Sequence, residues 1–116
     1  MYLAKDFYFE AAHHLTNYEG KCKNIHGHSY RLRVTIKGKP ENNGMIMDFS
    51  DLKKIVNDNI VGVFDHTDLN EHLDQPTAEN LCIYIWEALK SDLPLYEVKL
   101  WETRDSSAFI RSEDEN

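Results

Sequence analysis

His28-Ser29-Tyr30-Arg31-Leu32-Arg33-Val34-Thr35-Ile36-Lys37-Gly38 alternates apolar and polar residues almost without a break. Extended backbone turns successive side chains to opposite faces, so Tyr30, Leu32, Val34 and Ile36 share one face and Arg31, Arg33 and Thr35 the other. This is a strand with one face on a core. Upstream, Tyr2–Leu15 reads as another strand, with Phe7 and Phe9 alternating with Asp6, Tyr8 and Glu10 ahead of Ala11-Ala12-His13-His14. The polar stretch from Asn17 to Asn24 is the loop between the two strands.

Downstream, Lys39-Pro40-Glu41-Asn42-Asn43-Gly44 has turn chemistry and Met45-Ile46-Met47 is a short extended piece. Asp48 or Ser50 is a helix N-cap, and Leu52, Ile55, Val56, Ile60 and Val63 follow at spacings of three and four. A loop from Asp65 to Gln75 leads to a second cap at Thr77, and that helix buries Leu81, Ile85, Ala88 and Leu89. Glu97–Thr103 is a third strand and Ser107–Ser112 a fourth, with Glu113–Asn116 a frayed tail. Strand, strand, helix, helix, strand, strand predicts an α+β fold with a four-stranded antiparallel sheet and both helices inserted between strands 2 and 3. The sheet edges and a modest core predict a homo-oligomer in which neighbouring subunits continue the sheet.

The chain has 116 residues, 41% apolar and 28% charged, which suits one domain over 1–116 and excludes collagen-like and disordered classes. No apolar run approaches the ~20 residues that span a bilayer, and Lys5, Asp6 and Glu10 interrupt any opening signal segment. Two cysteines are too few for a disulfide scaffold, so a cytoplasmic protein with free thiols and no membrane partner is expected. A net charge of −7 argues against nucleic acid. Residues 21–39, however, carry Lys21, Lys23, Arg31, Arg33, Lys37 and Lys39 and no acid, so a basic segment faces an anionic small molecule or is simply a solvated strand face.

The sharpest chemical signal is His26-Gly27-His28. Side chains two apart on a strand point the same way, and Gly27 leaves room between them. An antiparallel hairpin would bring His13 beside both. Three converging imidazoles suit Zn²⁺ with a fourth position open, as catalytic sites require, while a lone His is more often an ordinary polar residue. His14 must point to the opposite face. Cys22 sits four residues before His26 between Lys21 and Lys23, where cations favour thiolate, the form a base or nucleophile needs; otherwise it is a plain loop cysteine. Cys82 is core packing. Asp65 beside His66 can set the tautomer of the imidazole for proton transfer, although such pairs are common in loops. His72 has no partner signal and is taken as surface. Glu102 ends the third strand, where a carboxylate can accept two parallel hydrogen bonds from an amidine-like heterocycle or merely be exposed.

Together these residues match a family. Phe9-Glu10-Ala11-Ala12-His13, Cys22-Lys23-Asn24-Ile25-His26-Gly27-His28-Ser29-Tyr30, Gly44-Met45-Ile46-Met47-Asp48-Phe49, Asp65-His66-Thr67-Asp68-Leu69-Asn70, Pro76-Thr77-Ala78-Glu79-Asn80 and Glu102-Thr103 occur in this order. The chain resembles the 6-pyruvoyltetrahydropterin and 6-carboxytetrahydropterin synthase family over nearly its whole length. The resemblance implies the tunnelling fold, with three subunits closing a barrel and two barrels stacking as a hexamer, a dimer of trimers. It implies Zn²⁺ on His13, His26 and His28, Cys22 as general base, Asp65 and His66 completing its relay, and sites assembled at subunit interfaces. Glu102 would anchor the pterin ring and count with the catalytic set, and backbone around Thr77 would line the pterin pocket.

The implied substrate is dihydroneopterin triphosphate, with Lys21 and Lys23 the leading candidates for the triphosphate. The Cys22-x3-His26 interval resembles the branch that makes 6-carboxytetrahydropterin for queuosine and other 7-deazapurines, releasing acetaldehyde and triphosphate. The 6-pyruvoyl branch, a non-catalytic pterin- or metal-binding relative, and a dihydroneopterin aldolase of the same fold are the alternatives. His14 is the main departure, since several relatives carry Arg or another residue there.

Overall fold

The computed structural model describes residues 1–16 and 19–114. Strands β1 (Tyr2–His13) and β2 (His26–Lys37) pair antiparallel along their full length, from Tyr2↔Lys37 to His13↔His26. An unbroken register keeps facing partners on the same face, so Phe7, Phe9, Ala11 and His13 join Tyr30, Leu32, Val34 and Ile36 in one buried layer.

The far side of β2 pairs antiparallel with β4 (Leu95–Thr103), which pairs antiparallel with β5 (Ser106–Arg111). The expected four-stranded antiparallel sheet gains a two-residue strand, β3 (Thr67–Asp68), parallel to β1 at Ala11 and Ala12, and the order is β3-β1-β2-β4-β5. A turn just ahead of β3 docks it: the His66 N–H donates to the Glu10 carbonyl at 2.6 Å, and the Glu10 N–H donates to Asp65 Oδ1 at 2.9 Å. These bonds occupy backbone groups at the β1 edge that would otherwise lack protein partners.

Helix α1 (Phe49–Val56) starts at Asp48, whose carboxylate accepts the Ser50 N–H at 2.8 Å. It runs on through a π-helical stretch, Asn57–Val61, into a last turn, α2 (Gly62–Phe64). Leu52, Val56, Ile60 and Phe64 are all fully buried. Three successive steps of four residues would swing an ideal α-helical stripe about 120° off the core. The wider π turn takes up that drift. Phe64 therefore holds the buried position, and Val63 only flanks the core. The π turn also brings the Asn57 carbonyl so near Gly62 that a Cβ there would lie 2.9 Å from it, which explains glycine at this position.

Helix α3 (Ala78–Leu89) is capped by Thr77, whose hydroxyl accepts the Asn80 N–H at 3.1 Å. It buries Leu81, Cys82, Ile85, Trp86 and Leu89, while Ala88 lies at the margin because the stripe runs through 82 and 86. The Cys82 thiol donates to the Ala108 carbonyl, and burial pushes its pKa up to about 12, as expected of a core cysteine. Both cysteines are free.

Met45–Met47 is not a strand but a bend, because Ile46 turns in beneath Gly38. Ser112–Asp114 is a short 3-10 turn rather than a frayed end, held by the Arg111 N–H donating to Asp114 Oδ2 at 2.9 Å. The loop residues Asn17 and Tyr18 and the tail residues Glu115 and Asn116 lie outside the described residues. Among the described residues no helix is long and apolar enough to cross a membrane.

Candidate metal centre

The paired ends of β1 and β2 build the site. His13 faces His26 directly in the register and His28 lies two residues on, on the same face. The three rings sit 4.6–5.0 Å apart, near perpendicular to one another, and one ring nitrogen from each lies within 4.8 Å of the others.

Backbone carbonyls decide how the rings are protonated. His13 Nδ1 is 2.8 Å from the Pro76 oxygen and His26 Nδ1 is 2.7 Å from the Asn24 oxygen. A carbonyl can only accept, so each Nδ1 carries a proton, and in the neutral ring each Nε2 turns a lone pair inward. Those two Nε2 atoms are 3.1 Å apart, an unfavourable approach of lone pairs unless a proton or cation lies between them. His28 Nε2 is buried with no hydrogen-bond partner among the described residues, and burial holds the ring below the usual histidine range. Neutral imidazoles with inward lone pairs and carbonyl-bound outer nitrogens are what a three-histidine metal site requires. The residues present fit a metal ion.

Glu102, on β4, reaches the same point: its carboxylate oxygens lie 3.6 Å from His28 Nε2 and 3.9 Å from His13 Nε2. Thr77 lies next to the Pro76 carbonyl, with its hydroxyl committed to the α3 cap. Cys22 is half-buried in a short 3-10 turn, Lys21–Lys23, whose lysines are exposed. The Cys22 carbonyl accepts the Leu15 N–H at 2.7 Å, which ties this turn to the histidine end of β1.

Asp65 and His66 go elsewhere. His66 has a left-handed backbone (φ 60°), and its Nδ1 is 3.0 Å from Asp65 Oδ2. The Glu10 N–H is the main reason the Asp65 carboxyl is held below its ordinary range. His66 borders an open depression of about 460 Å³ whose lining includes Glu10, Ala12, Gly27, His28 and Ser29. By strand alternation the side chains of Glu10, Ala12 and Ser29 point to the face opposite His13, His26 and His28. Among the described residues no contact joins the Asp65–His66 pair to His13, His26 or His28, although His28 borders the same depression.

Three readings change. A Cβ on Gly27 would meet the Ala11 oxygen at 3.8 Å, an ordinary contact, so nothing in the chain itself demands glycine there. His72 is half-buried against Phe64, not a surface residue, because the Leu69–Glu71 turn folds it inward. Arg31 and Arg33 both grip Asp6, with contacts of 2.7 Å each, and Arg31 lies over Trp101. Their charge is thus partly spent within the sheet, whereas Lys21 and Lys23 are exposed on the turn that holds Cys22. His14, one residue beyond β1, is set apart from the metal group, and its backbone N–H donates to Asn70 Oδ1. The carbonyls of Pro76 and Asn24 gave no signal in the sequence, since every residue carries one.

The family model described as 6-pyruvoyl tetrahydropterin synthase matches residues 2–113. The chain belongs to that enzyme family. A relative from Archaeoglobus fulgidus, provisionally named 6-carboxy-5,6,7,8-tetrahydropterin synthase, is 45% identical over 89% of both chains. Relatives from Haemophilus influenzae and Synechocystis carry that name outright. A Pyrococcus furiosus relative, 39% identical over 81% of this chain and 82% of its own, is named dihydroneopterin monophosphate aldolase. The solved structure of Caenorhabditis elegans 6-pyruvoyl tetrahydropterin synthase superposes with a TM-score of 0.87 at 28% identity, covering 97% of this chain and 95% of that one. The tunnelling fold expected from the sequence is the fold of this protein.

Proposed function

We propose that this protein is a zinc enzyme that converts 7,8-dihydroneopterin triphosphate to 6-carboxy-5,6,7,8-tetrahydropterin, releasing acetaldehyde and triphosphate, as a cytoplasmic step of 7-deazapurine (queuosine) synthesis. The observation that carries the reading is the set of inward-facing nitrogens of His13, His26 and His28 beside the Glu102 carboxylate. Bound Zn²⁺ supplies a Lewis acid that acidifies nearby C–H and O–H bonds. Glu102 accepts paired hydrogen bonds from the amidine-like edge of the pterin and thereby sets its side chain against the histidines. Cys22, as thiolate, removes a side-chain proton, and His66, oriented by Asp65, returns one. Lys21 and Lys23 attract the triphosphate.

Because no contact joins Asp65 and His66 to their own histidines among the described residues, we take the complete site to form between subunits of a homo-oligomer, a hexamer built as a dimer of trimers. The edges support this: β5 pairs only with β4, and β1 meets β3 only at Ala11 and Ala12. The partner is the small-molecule substrate, without nucleic acid or membrane.

Two further readings have support among the relatives, elimination to the 6-pyruvoyl product and aldol cleavage of a phosphorylated dihydroneopterin. Incubation of the zinc-loaded protein with dihydroneopterin triphosphate separates all three. We expect 6-carboxytetrahydropterin with stoichiometric acetaldehyde. A 6-pyruvoyl product without acetaldehyde, or a 6-hydroxymethyl pterin from retro-aldol cleavage, would overturn the assignment.

A further inference from the structure

We infer that Asn80 is a positioning residue for the metal centre: its side-chain amide closes the Gln75-Pro76-Thr77 turn so that the Pro76 carbonyl holds His13 as its Nδ1–H tautomer. The inference rests on the metal reading above.

Two donors converge on the Gln75 carbonyl, the Thr77 N–H at 2.9 Å and Asn80 Nδ2 at 2.9 Å. Pro76 lies between the two residues so joined, buried, with its own carbonyl 2.8 Å from His13 Nδ1. The proline ring already sets φ, so the direction of that carbonyl depends on ψ, which the placement of Thr77 controls. The Gln75 side chain adds a separate tie, accepting the Thr16 N–H at 2.7 Å and the Thr16 hydroxyl at 2.9 Å. Asn80 is exposed, and its backbone N–H supplies the Thr77 cap whatever side chain it carries. Its amide is therefore the part of the turn that a substitution removes without uncapping α3.

An outer partner that fixes a ligand's tautomer is worth about 10–100-fold in metal affinity, and one bond further out the lower end applies. We expect Asn80→Ala and Asn80→Asp each to weaken Zn²⁺ about tenfold in a chelator competition, with folded-state circular dichroism and the melting temperature of the metal-free protein nearly unchanged. Asn80→Asp is the stricter case, because it keeps the shape, loses the donor, and adds a negative charge that would by itself favour a cation. Long-range ¹H–¹⁵N correlations on the metal-free protein should show one His13 tautomer in the parent and a mixture in both Asn80 variants. Parent-like affinity and a single His13 tautomer in both would overturn the inference. If the parent itself takes up no zinc, the metal reading fails, and the tautomer comparison still decides the role of Asn80.

Discussion

Glu102 Oε1 lies 3.6 Å from His28 Nε2, bringing a carboxylate from β4 to the edge of a histidine cluster built by β1 and β2. Ligands of one tetrahedral zinc ion, bound at about 2.0–2.2 Å, sit at a similar separation. The carboxylate could therefore join the ion or receive the pterin beside it. We assign it to the pterin. Glu102→Gln should then keep full metal content and lose substrate binding, because an amide presents a donor where the carboxylate presents a second acceptor. Metal analysis and substrate titration on one preparation check this; loss of zinc would make Glu102 a ligand.

His28→Ala removes an inward nitrogen that is buried and makes no hydrogen bond among the described residues. Zinc affinity should fall by more than the ~10–100-fold that loss of an outer partner costs. His14→Ala should leave zinc content unchanged, since His14 belongs to the Asn70 contact and not to the cluster. Elemental analysis after gel filtration distinguishes the two variants.

Cys22→Ala should hold zinc and assemble like the parent but turn over about 10²–10⁴ times more slowly, the range for loss of a positioned general base. Alkylation of the native protein should label half-buried Cys22 and spare Cys82 until the chain unfolds. Mass spectrometry of digested peptides reads out the labelling.

Acidification should destabilise the metal-free protein in two windows. Burial is the main reason His28 sits below the ordinary histidine value, so the unfolded chain binds that proton more readily. Stability therefore falls as pH drops from about 6.5 toward the folded value, while above about 6.5 this group leaves it unchanged. Asp6, lowered chiefly by its hydrogen bond from Arg33, contributes above about 3.9, and that contribution is lost as pH falls through the folded value. Urea midpoints between about pH 8 and about pH 2 should show the histidine limb first and the Asp6 limb below about 3.9, and His28→Ala should remove its share.

Gly62→Ala forces a Cβ to within 2.9 Å of the Asn57 carbonyl and should cost about 1–3 kcal/mol, the range for overpacking. Gly27→Ala meets no such obstacle and should fold as the parent does. Parallel denaturant titrations compare them.

The two-residue alternation from Tyr30 to Ile36 and the paired spacing of His26 and His28 were legible because strand periodicity is local: which face a side chain takes follows from its place in the chain. The caps at Asp48 and Thr77 were legible for the same reason, since each is satisfied by a backbone N–H two or three residues on. The run of four-residue steps from Leu52 to Phe64 was only half legible, because the π turn that keeps it buried answers to the sheet beneath.

Long-range geometry decided the rest. Pro76 orients His13 across 63 residues, Asp6 engages Arg31 and Arg33 from the neighbouring strand, and Glu10 pins Asp65 and His66 to the β1 edge. The sequence determined by itself which residues could form strands, caps and a metal-ligating set, because those properties belong to short stretches of backbone. Only the tertiary structure decided the tautomers, the sharing of Asp6 by two arginines and the placing of Asp65–His66 outside the three-histidine group. Each of these depends on where a distant carbonyl, carboxylate or strand edge comes to rest.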